Sequence, residues 1–140
     1  MLALEQAGYA ISMPFGENTR YDLIIDDGAS LSRVQCKTGR LRNGAILFAT
    51  CSSYAHHRSA QFSQRDYIGQ IDFFGVYCAE TSGAYLIPIA DASLRRCAAL
   101  RVDMPRNSQR RRVRFAADYL IGTVASSAPR ASSGARGSCA

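Results

Sequence analysis

Residues 20–39, RYDLIIDDGASLSRVQCKTG, decide the fold because they place two apolar runs around a tight turn. The runs YDLIIDD and LSRVQCKT predict two strands, and Gly28 between them predicts the turn of an antiparallel hairpin. When the turn is centred between Gly28 and Ala29, Asp22 faces Gln35 across the hairpin. Side chains alternate along a strand, so this register sorts them onto two faces.

The two predicted faces differ in polarity. The apolar face, expected to belong to the core, comprises Tyr21, Leu23, Ile25, Val34 and Cys36. The polar face comprises Asp22, Gln35 and Lys37, with Arg33 nearby. The β-carbons of directly opposed residues lie roughly 4.5 to 5.5 Å apart, so Asp22 and Gln35 can offer oxygens to one ion.

This polar face has the chemistry of a metal-assisted hydrolytic site. Mg²⁺ prefers hard oxygen ligands and keeps several waters, so one carboxylate and one amide oxygen suffice when phosphate oxygens add the rest. Such an ion lowers the pKa of a bound water, and the ammonium of Lys37 can position that water and stabilise charge on phosphorus oxygens. An alternative stays open: the three residues line an ordinary solvated face, which alternating strands normally have.

The rest of the chain predicts one sheet with few helices, an α/β fold with a mixed α+β sheet. Further strands are predicted for residues 9–14, 45–51, 71–79 and 84–90. The third of these is apolar enough to be buried on both faces, and Pro88 makes the fourth an edge strand. Helices are predicted for residues 1–8 and 92–100, and a helix or strand for 115–121. Loops are predicted for residues 39–44 and 52–70.

The charge pattern favours an anionic partner. The 140 residues suit one domain and carry a net charge of +6, and all 17 basic residues except Lys37 are arginines, whose forks match phosphate oxygens. Residues 101–114 hold six arginines against one aspartate. Phosphate contacts are predicted for Arg40 and Arg42 in the first basic loop and for Arg106, Asn107, Gln109, Arg110, Arg111 and Arg112. A merely solvated basic loop is the alternative.

Several other classes of protein are disfavoured. The five cysteines include no C-x-x-C pair, which favours buried free thiols in a cytoplasmic protein, and no apolar stretch approaches the roughly 20 residues of a membrane span. No Gly-rich phosphate loop or Gly-x-Ser-x-Gly elbow is present. His56 and His57 lack a second pair of ligands at zinc spacing and are expected to be exposed loop residues.

Asp22 followed by Gln35-Cys36-Lys37 resembles the D…(D/E/Q)-x-K motif of the PD-(D/E)XK nuclease superfamily. The blocks GYAISMPFGENTRYDLIIDD, RVQCKTGRLRNGAILFATCSS, YIGQIDFFGVYC and YLIPIA resemble the branch that includes bacterial group I intron homing endonucleases, which is similar in its core to Holliday-junction resolvases. The resemblance covers residues 2–120, nearly the whole part expected to be ordered. It implies a nuclease-like domain over residues 1–121, followed by a disordered Ser/Ala/Gly/Arg tail over 122–140.

The resemblance also implies a function and roles for the motif residues. Asp22 matches the metal-binding acid, Gln35 takes the position of the second acid, and Lys37 matches the motif lysine. The implied activity is hydrolysis of phosphodiester bonds in double-stranded DNA with Mg²⁺, or Mn²⁺ as a substitute. Because cutting both strands needs two sites, a homo-oligomer, dimer or tetramer, is expected.

One family residue has no counterpart here. Relatives carry a glutamate in the first helix, upstream of the stretch that matches LEQAGY, and Glu5 lies too close to the helix end to match it. The expectation is therefore a restriction-endonuclease-like core with a truncated first helix. The alternative function is a DNA-binding module that keeps the scaffold and lacks hydrolysis.

Overall fold

The computed structural model describes residues 1–16, 19–54, 63–92, 96–103 and 113–122. Its helix and strands are α1 (Leu2–Gln6), β1 (Ala10–Ser12), β2 (Leu23–Asp26), β3 (Leu31–Arg42), β4 (Ala45–Ala49), β5 (Ser52–Tyr54), β6 (Ser63–Arg65), β7 (Phe73–Cys78), β8 (Gly83–Pro88) and β9 (Cys97–Arg101). A 3₁₀ helix, Ala116–Tyr119, follows. The expected tail lies outside the described residues, apart from Gly122. No helix in these ranges is long and apolar enough to cross a membrane.

The predicted register of the first hairpin is confirmed. Leu23 pairs with Val34 and Ile24 pairs with Arg33 in the antiparallel ladder between β2 and β3. Gly28 has a φ of 86°, a conformation that glycine adopts at little cost. The carboxylate of Asp27 accepts the backbone N–H groups of Ala29 and Ser30, and these bonds lower the pKa of Asp27. The turn is therefore closed by its own side chains.

Strand β3 organises the sheet, because three strands pair with it. It pairs with β2 antiparallel, with β7 parallel from Val34 to Gly39, and with β4 antiparallel from Arg40 to Arg42. Strands β1, β8 and β9 extend the sheet from β2, β7 and β4. One parallel ladder among antiparallel ones gives the mixed sheet that the sequence predicts.

The two faces of the sheet hold separate apolar clusters. The cluster under α1 contains Leu4, Leu23, Ile25 and Val34. The larger cluster, on the other face, includes Ile46, Phe48, Tyr67, Phe74, Val76, Tyr85, Ile87 and Leu100. The ladder with β7 places Gln35 beside Phe74 and Lys37 beside Val76, so both polar residues lie on the face of the larger cluster.

The prediction of a loop over residues 39–44 is wrong for its first part. Strand β3 continues through Arg42, and a two-residue turn, Asn43 and Gly44, leads directly into β4. Both turn residues have positive φ, 49° and 72°, which matches the twist of the flanking strands. Arg40 and Arg42 are therefore exposed strand residues and not loop residues.

Two other predictions of secondary structure are wrong. The helix expected over residues 92–100 is replaced by β9, which pairs with β4 and buries Ala98 and Leu100. The open edge of β4 offers hydrogen bonds that outweigh the helix propensity of alanine and leucine. The loop expected over residues 52–70 contains β5 and β6, which pair with each other.

The predictions for β7 and β8 are partly confirmed. Phe74, Val76 and Cys78 are buried, but Tyr77 is 54% exposed, so β7 is not covered on both faces along its whole length. Strand β8 pairs with β7 alone among the described strands, so its position at an edge is confirmed.

The thiols are free but not all buried. Among the described residues Cys36, Cys51, Cys78 and Cys97 form no disulfide, as expected. Cys78 is buried, whereas Cys36 and Cys97 are exposed, so the prediction of burial is wrong for those two. Cys139 lies outside the described ranges.

Arg33 and Asp72 fix the start of β3 to the segment that precedes β7. Asp72 Oδ2 accepts the Arg33 backbone N–H at 2.8 Å and Nε at 3.1 Å, and Oδ1 accepts Nη2 at 3.1 Å. The Asp72 backbone N–H donates to the Arg33 carbonyl in return. These contacts give Asp72 a structural role, and the Arg33 guanidinium lowers the pKa of the Asp72 carboxyl.

Gly39 is expected to tolerate no side chain. A β-carbon there would lie 2.6 Å from Ile46 Cγ2 and 3.0 Å from Val76 Cγ1, both in the larger cluster. We predict that Gly39→Ala lowers the free energy of unfolding by about 1–3 kcal/mol through overpacking, measured by urea denaturation. Thr38→Ala, at an exposed neighbouring position, is the control. The Gly39→Ala cost should shrink in an Ile46→Ala background; equal costs in both backgrounds would contradict the steric explanation.

The Arg33–Asp72 pair is expected to make stability depend on acid pH. The folded-state pKa of Asp72 lies below its ordinary value, so the contribution of the pair to stability is full above the unfolded-state pKa and is lost as pH falls through the folded-state pKa. Asp72→Asn should lower the free energy of unfolding by about 0.5–1 kcal/mol at pH 7, since both side chains are partly exposed, and by much less near pH 3. Urea titrations at both pH values measure this. Asp118 is an exposed carboxylate with no ion pair in the described ranges. Asp118→Asn should therefore change the free energy of unfolding about equally at both pH values.

Candidate active site

Asp22 and Gln35 are brought together as the sequence predicts. Asp22 directly precedes β2, and its backbone N–H donates to the Val34 carbonyl at 2.9 Å, which continues the ladder with β3. Asp22 Oδ2 accepts the Gln35 amide nitrogen at 2.7 Å and the Cys36 backbone N–H at 2.7 Å. Strand β3 thus holds the carboxylate through one of its oxygens.

The remaining atoms of this pair suit a hard cation. Asp22 Oδ1 has no hydrogen bond within the described residues, and Gln35 donates through its nitrogen, which leaves Oε1 as its acceptor. Two oxygens of this kind are ligands that Mg²⁺ accepts. The described residues hold no cluster of three His, Cys, Asp or Glu side chains that could bind a metal. The donor set therefore fits a divalent cation in kind but supplies only one negative charge.

Glu5 does not join this pair. It lies on α1, whose buried residue Leu4 packs into the cluster on the opposite face of the sheet from Gln35 and Lys37. The match of Glu5 to the family's first-helix glutamate is decided by its sequence position and not by this packing.

Lys37 lies on the same face as Gln35, two residues along β3. Its Nζ donates to the hydroxyl of Tyr67 at 3.0 Å and lies 4.9 Å from the centroid of that ring. Tyr67 is only 4% exposed and belongs to the larger cluster. Tyr67 is not predicted as a site residue from sequence, because the residues before it have the polar composition of a loop.

Arg20 is a second residue that the sequence analysis missed. Its guanidinium carbon lies 4.4 Å from the centroid of the Tyr67 ring. Its nitrogens donate to Gln70 Oε1, to Ser52 Oγ at 2.8 Å and to the Asp66 carbonyl. Ser52 Oγ thus accepts a hydrogen bond from within the protein. Contacts over such sequence separations leave no local pattern.

Of the residues predicted to contact DNA, the structure describes Arg40 and Arg42. Arg40 pairs with Leu47 and is three residues from Lys37, so strand alternation puts Arg40 and Arg42 on the opposite face from Lys37. Arg106, Asn107, Gln109, Arg110, Arg111 and Arg112 lie outside the described residues, as do His56 and His57.

Comparisons with solved structures support the fold. The chain is similar to the bacterial homing endonuclease I-Ssp6803I with a TM-score of 0.59 and 21% sequence identity, over 85% of this chain and 84% of that one. At this identity the likeness concerns the fold alone. A search of curated proteins finds no match.

The sequence also matches the profile of the PD-(D/E)XK endonucleases over residues 1–121, which includes the hairpin, the candidate site and every described strand. The motif residues Asp22, Gln35 and Lys37 stand on one face of that matched region, at the junction of β2 and β3. The chain therefore belongs to the PD-(D/E)XK endonuclease family.

Proposed function

We propose that the protein is a Mg²⁺-dependent endonuclease that hydrolyses phosphodiester bonds in double-stranded DNA. The observation that carries the proposal is the juxtaposition of Asp22 and Gln35, with Lys37 on the same face of β3. Membership of the endonuclease family supports the reaction class. The relative of similar fold is described as a homing endonuclease, and a homing- or resolvase-like activity is the specific form proposed here.

Each residue has a distinct part in this proposal. Asp22 Oδ1 and Gln35 Oε1 would hold Mg²⁺, with Mn²⁺ as a substitute. The metal, when bound, supplies Lewis-acid activation of water and of phosphate oxygen. The ammonium of Lys37 orients the attacking water and stabilises the negative charge that develops on the phosphate oxygens. The hydrogen bonds from Gln35 and Cys36 keep the Asp22 carboxylate in a fixed orientation.

The proposed partner is DNA, held mainly through its phosphates. The net charge of +6 supports this, with Arg40 and Arg42 exposed on β3 and the arginines of residues 106–112 as further proposed contacts. A homo-oligomer, dimer or tetramer, is proposed because both strands of a duplex must be cut. The cytoplasm is the proposed location, in keeping with the free thiols of the described cysteines.

Binding to DNA is expected to weaken steeply with salt. If residues 106–112 and their neighbours neutralise about five phosphates, the logarithm of the association constant should fall with the logarithm of salt concentration at a slope near −4.5. Fluorescence anisotropy with a labelled duplex at several salt concentrations measures the slope. Replacing Arg110, Arg111 and Arg112 together with glutamine should reduce it by about 3 units, and an unchanged slope would contradict this contact surface.

Cleavage is expected to need the metal and the motif residues. With Mg²⁺ the full chain should nick or cut duplex DNA, and Asp22→Ala and Lys37→Ala should each lower the cleavage rate at least about 100-fold. Asp118→Ala, which removes a carboxylate outside the candidate site, should leave the rate unchanged. Gel assays of supercoiled plasmid, with and without chelator, provide the measurement. Cleavage that survives chelation or both substitutions would contradict the proposal.

A second candidate function is DNA binding without hydrolysis. It is favoured by one observation: the described residues include no group of three or more His, Cys, Asp or Glu side chains that could hold a metal ion. In that case DNA affinity would be independent of Mg²⁺ and of Asp22→Ala, and no cleavage would occur. The same two assays separate the candidates.

A further inference from the structure

Lys37 has an unusual environment for a side chain proposed to stabilise negative charge on a phosphate. It is only partly exposed, and its Nζ contacts the Tyr67 hydroxyl and forms no salt bridge in the described part of the chain. The ammonium lies within hydrogen-bond distance of the hydroxyl, while the ring centroid is 4.9 Å away. The hydroxyl is therefore the atom that fixes where the charge lies.

The position of the Tyr67 side chain is itself fixed by packing. It is 4% exposed, and its ring packs edge-on against Phe74 with 5.6 Å between centroids and an interplanar angle of 88°. Phe74 is the neighbour of Gln35 in the ladder between β3 and β7. The ring is thus packed against the strand next to the one that carries Lys37.

Arg20 also contacts the Tyr67 ring and the residues around it. Its guanidinium stacks on the Tyr67 ring at 4.4 Å and donates to acceptors on Gln70, Ser52 and Asp66. These acceptors come from β5 and from the residues on both sides of Tyr67. Arg20 is two residues from Asp22, so the segment is tied to the chain that carries the candidate metal ligand.

We propose that Tyr67 is the positioning residue of Lys37, and that Arg20 holds Tyr67 in that role. This rests on the proposed function in so far as Lys37 acts on the scissile phosphate. Neither residue needs to touch DNA or metal: Tyr67 places the ammonium, and Arg20 ties the Tyr67 segment to the site. A hydrogen bond to a charged group supplies enough stabilisation for its loss to slow the reaction about tenfold to hundredfold.

Lys37 is the only lysine of the chain, which permits a direct test that does not depend on activity. Selective ¹³C,¹⁵N-lysine labelling of the full chain gives one lysine side-chain signal in NMR spectra. We expect that signal to be shifted by the Tyr67 ring current, to show nuclear Overhauser contacts with the ring and to have restricted motion at Cε. In Tyr67→Phe, which keeps the ring, the motion at Cε should increase while the melting temperature changes little.

A matched control is available in the same cluster. Tyr85 is 5% exposed, and its hydroxyl bonds with Thr81 Oγ1 at 3.0 Å, so Tyr85→Phe also removes one buried phenol hydroxyl. Tyr85→Phe should leave the Lys37 signal and the cleavage rate unchanged. Tyr67→Phe should lower the single-turnover cleavage rate about tenfold to hundredfold and leave DNA affinity within about twofold.

Arg20 is tested with the charge retained. Arg20→Lys keeps the positive charge but loses the fork that reaches several acceptors. We expect slower cleavage by Arg20→Lys, with DNA affinity within about twofold. Because Arg20→Lys adds a second lysine, motion at Lys37 Cε is measured in Arg20→Gln, where it should increase. A loss of affinity with unchanged cleavage by bound enzyme would make Arg20 a phosphate contact and overturn its part of the proposal.

The outcomes separate this inference from the proposed function. An equally restrained Lys37 signal in wild type and Tyr67→Phe, or unchanged cleavage by Tyr67→Phe, overturns the positioning role. Absence of cleavage by the wild type, or cleavage that survives Lys37→Ala, overturns the proposed function, while the NMR comparison still decides whether Tyr67 positions Lys37.

Discussion

The pairing of β3 with β2 on one side and β7 on the other is the constraint on which the candidate site depends. The β2 ladder sets Asp22 beside Gln35, and the β7 ladder puts Gln35 and Lys37 over the larger cluster. A slip of one residue would turn both polar side chains to the α1 face and break the bonds to Asp22. The arrangement of the site residues therefore depends on this register, and so does the packing of the sheet.

Two features fix this register at opposite ends of β3. At the start, Arg33 and Asp72 exchange backbone and side-chain hydrogen bonds that admit one alignment of β3 with the segment before β7. Near the other end, Gly39 fits against Ile46 and Val76 only because it has no β-carbon. A slipped strand would bring a side chain into that space. Polar contacts and steric exclusion thus act together on the strand that carries Gln35 and Lys37.

The sequence predicts the hairpin well because its information is local. Gly28 marks the turn, strand alternation sorts the two faces, and Pro88 marks an edge strand. The turn at Asn43 and Gly44 also has a local signal, since Asn-Gly is typical of a two-residue hairpin, although the arginines before it favour a loop. The strand Cys97–Arg101 was harder to predict, because its alanines and leucine favour a helix until the edge of β4 is known to be open.

The parts of the site that local patterns cannot reveal come from distant segments. Tyr67 is 30 residues from Lys37, and Arg20 is 32 residues from Ser52. Nothing in the residues around Tyr67 distinguishes it from any other buried tyrosine. Only the folded sheet, which brings the Tyr67 segment across Lys37, shows that its hydroxyl has an ammonium as a partner.

The choice between lysine and arginine follows from the same geometry. Every basic residue of the chain except Lys37 is arginine. At position 20 the planar fork is used fully, because it reaches acceptors on three residues while stacking on Tyr67. At position 37 the charge meets a single hydroxyl beside a buried ring, where a compact ammonium concentrates its charge at one point and a wider guanidinium would spread it. Lys37→Arg would therefore keep the positive charge of the site, but the charge would no longer lie at the same point.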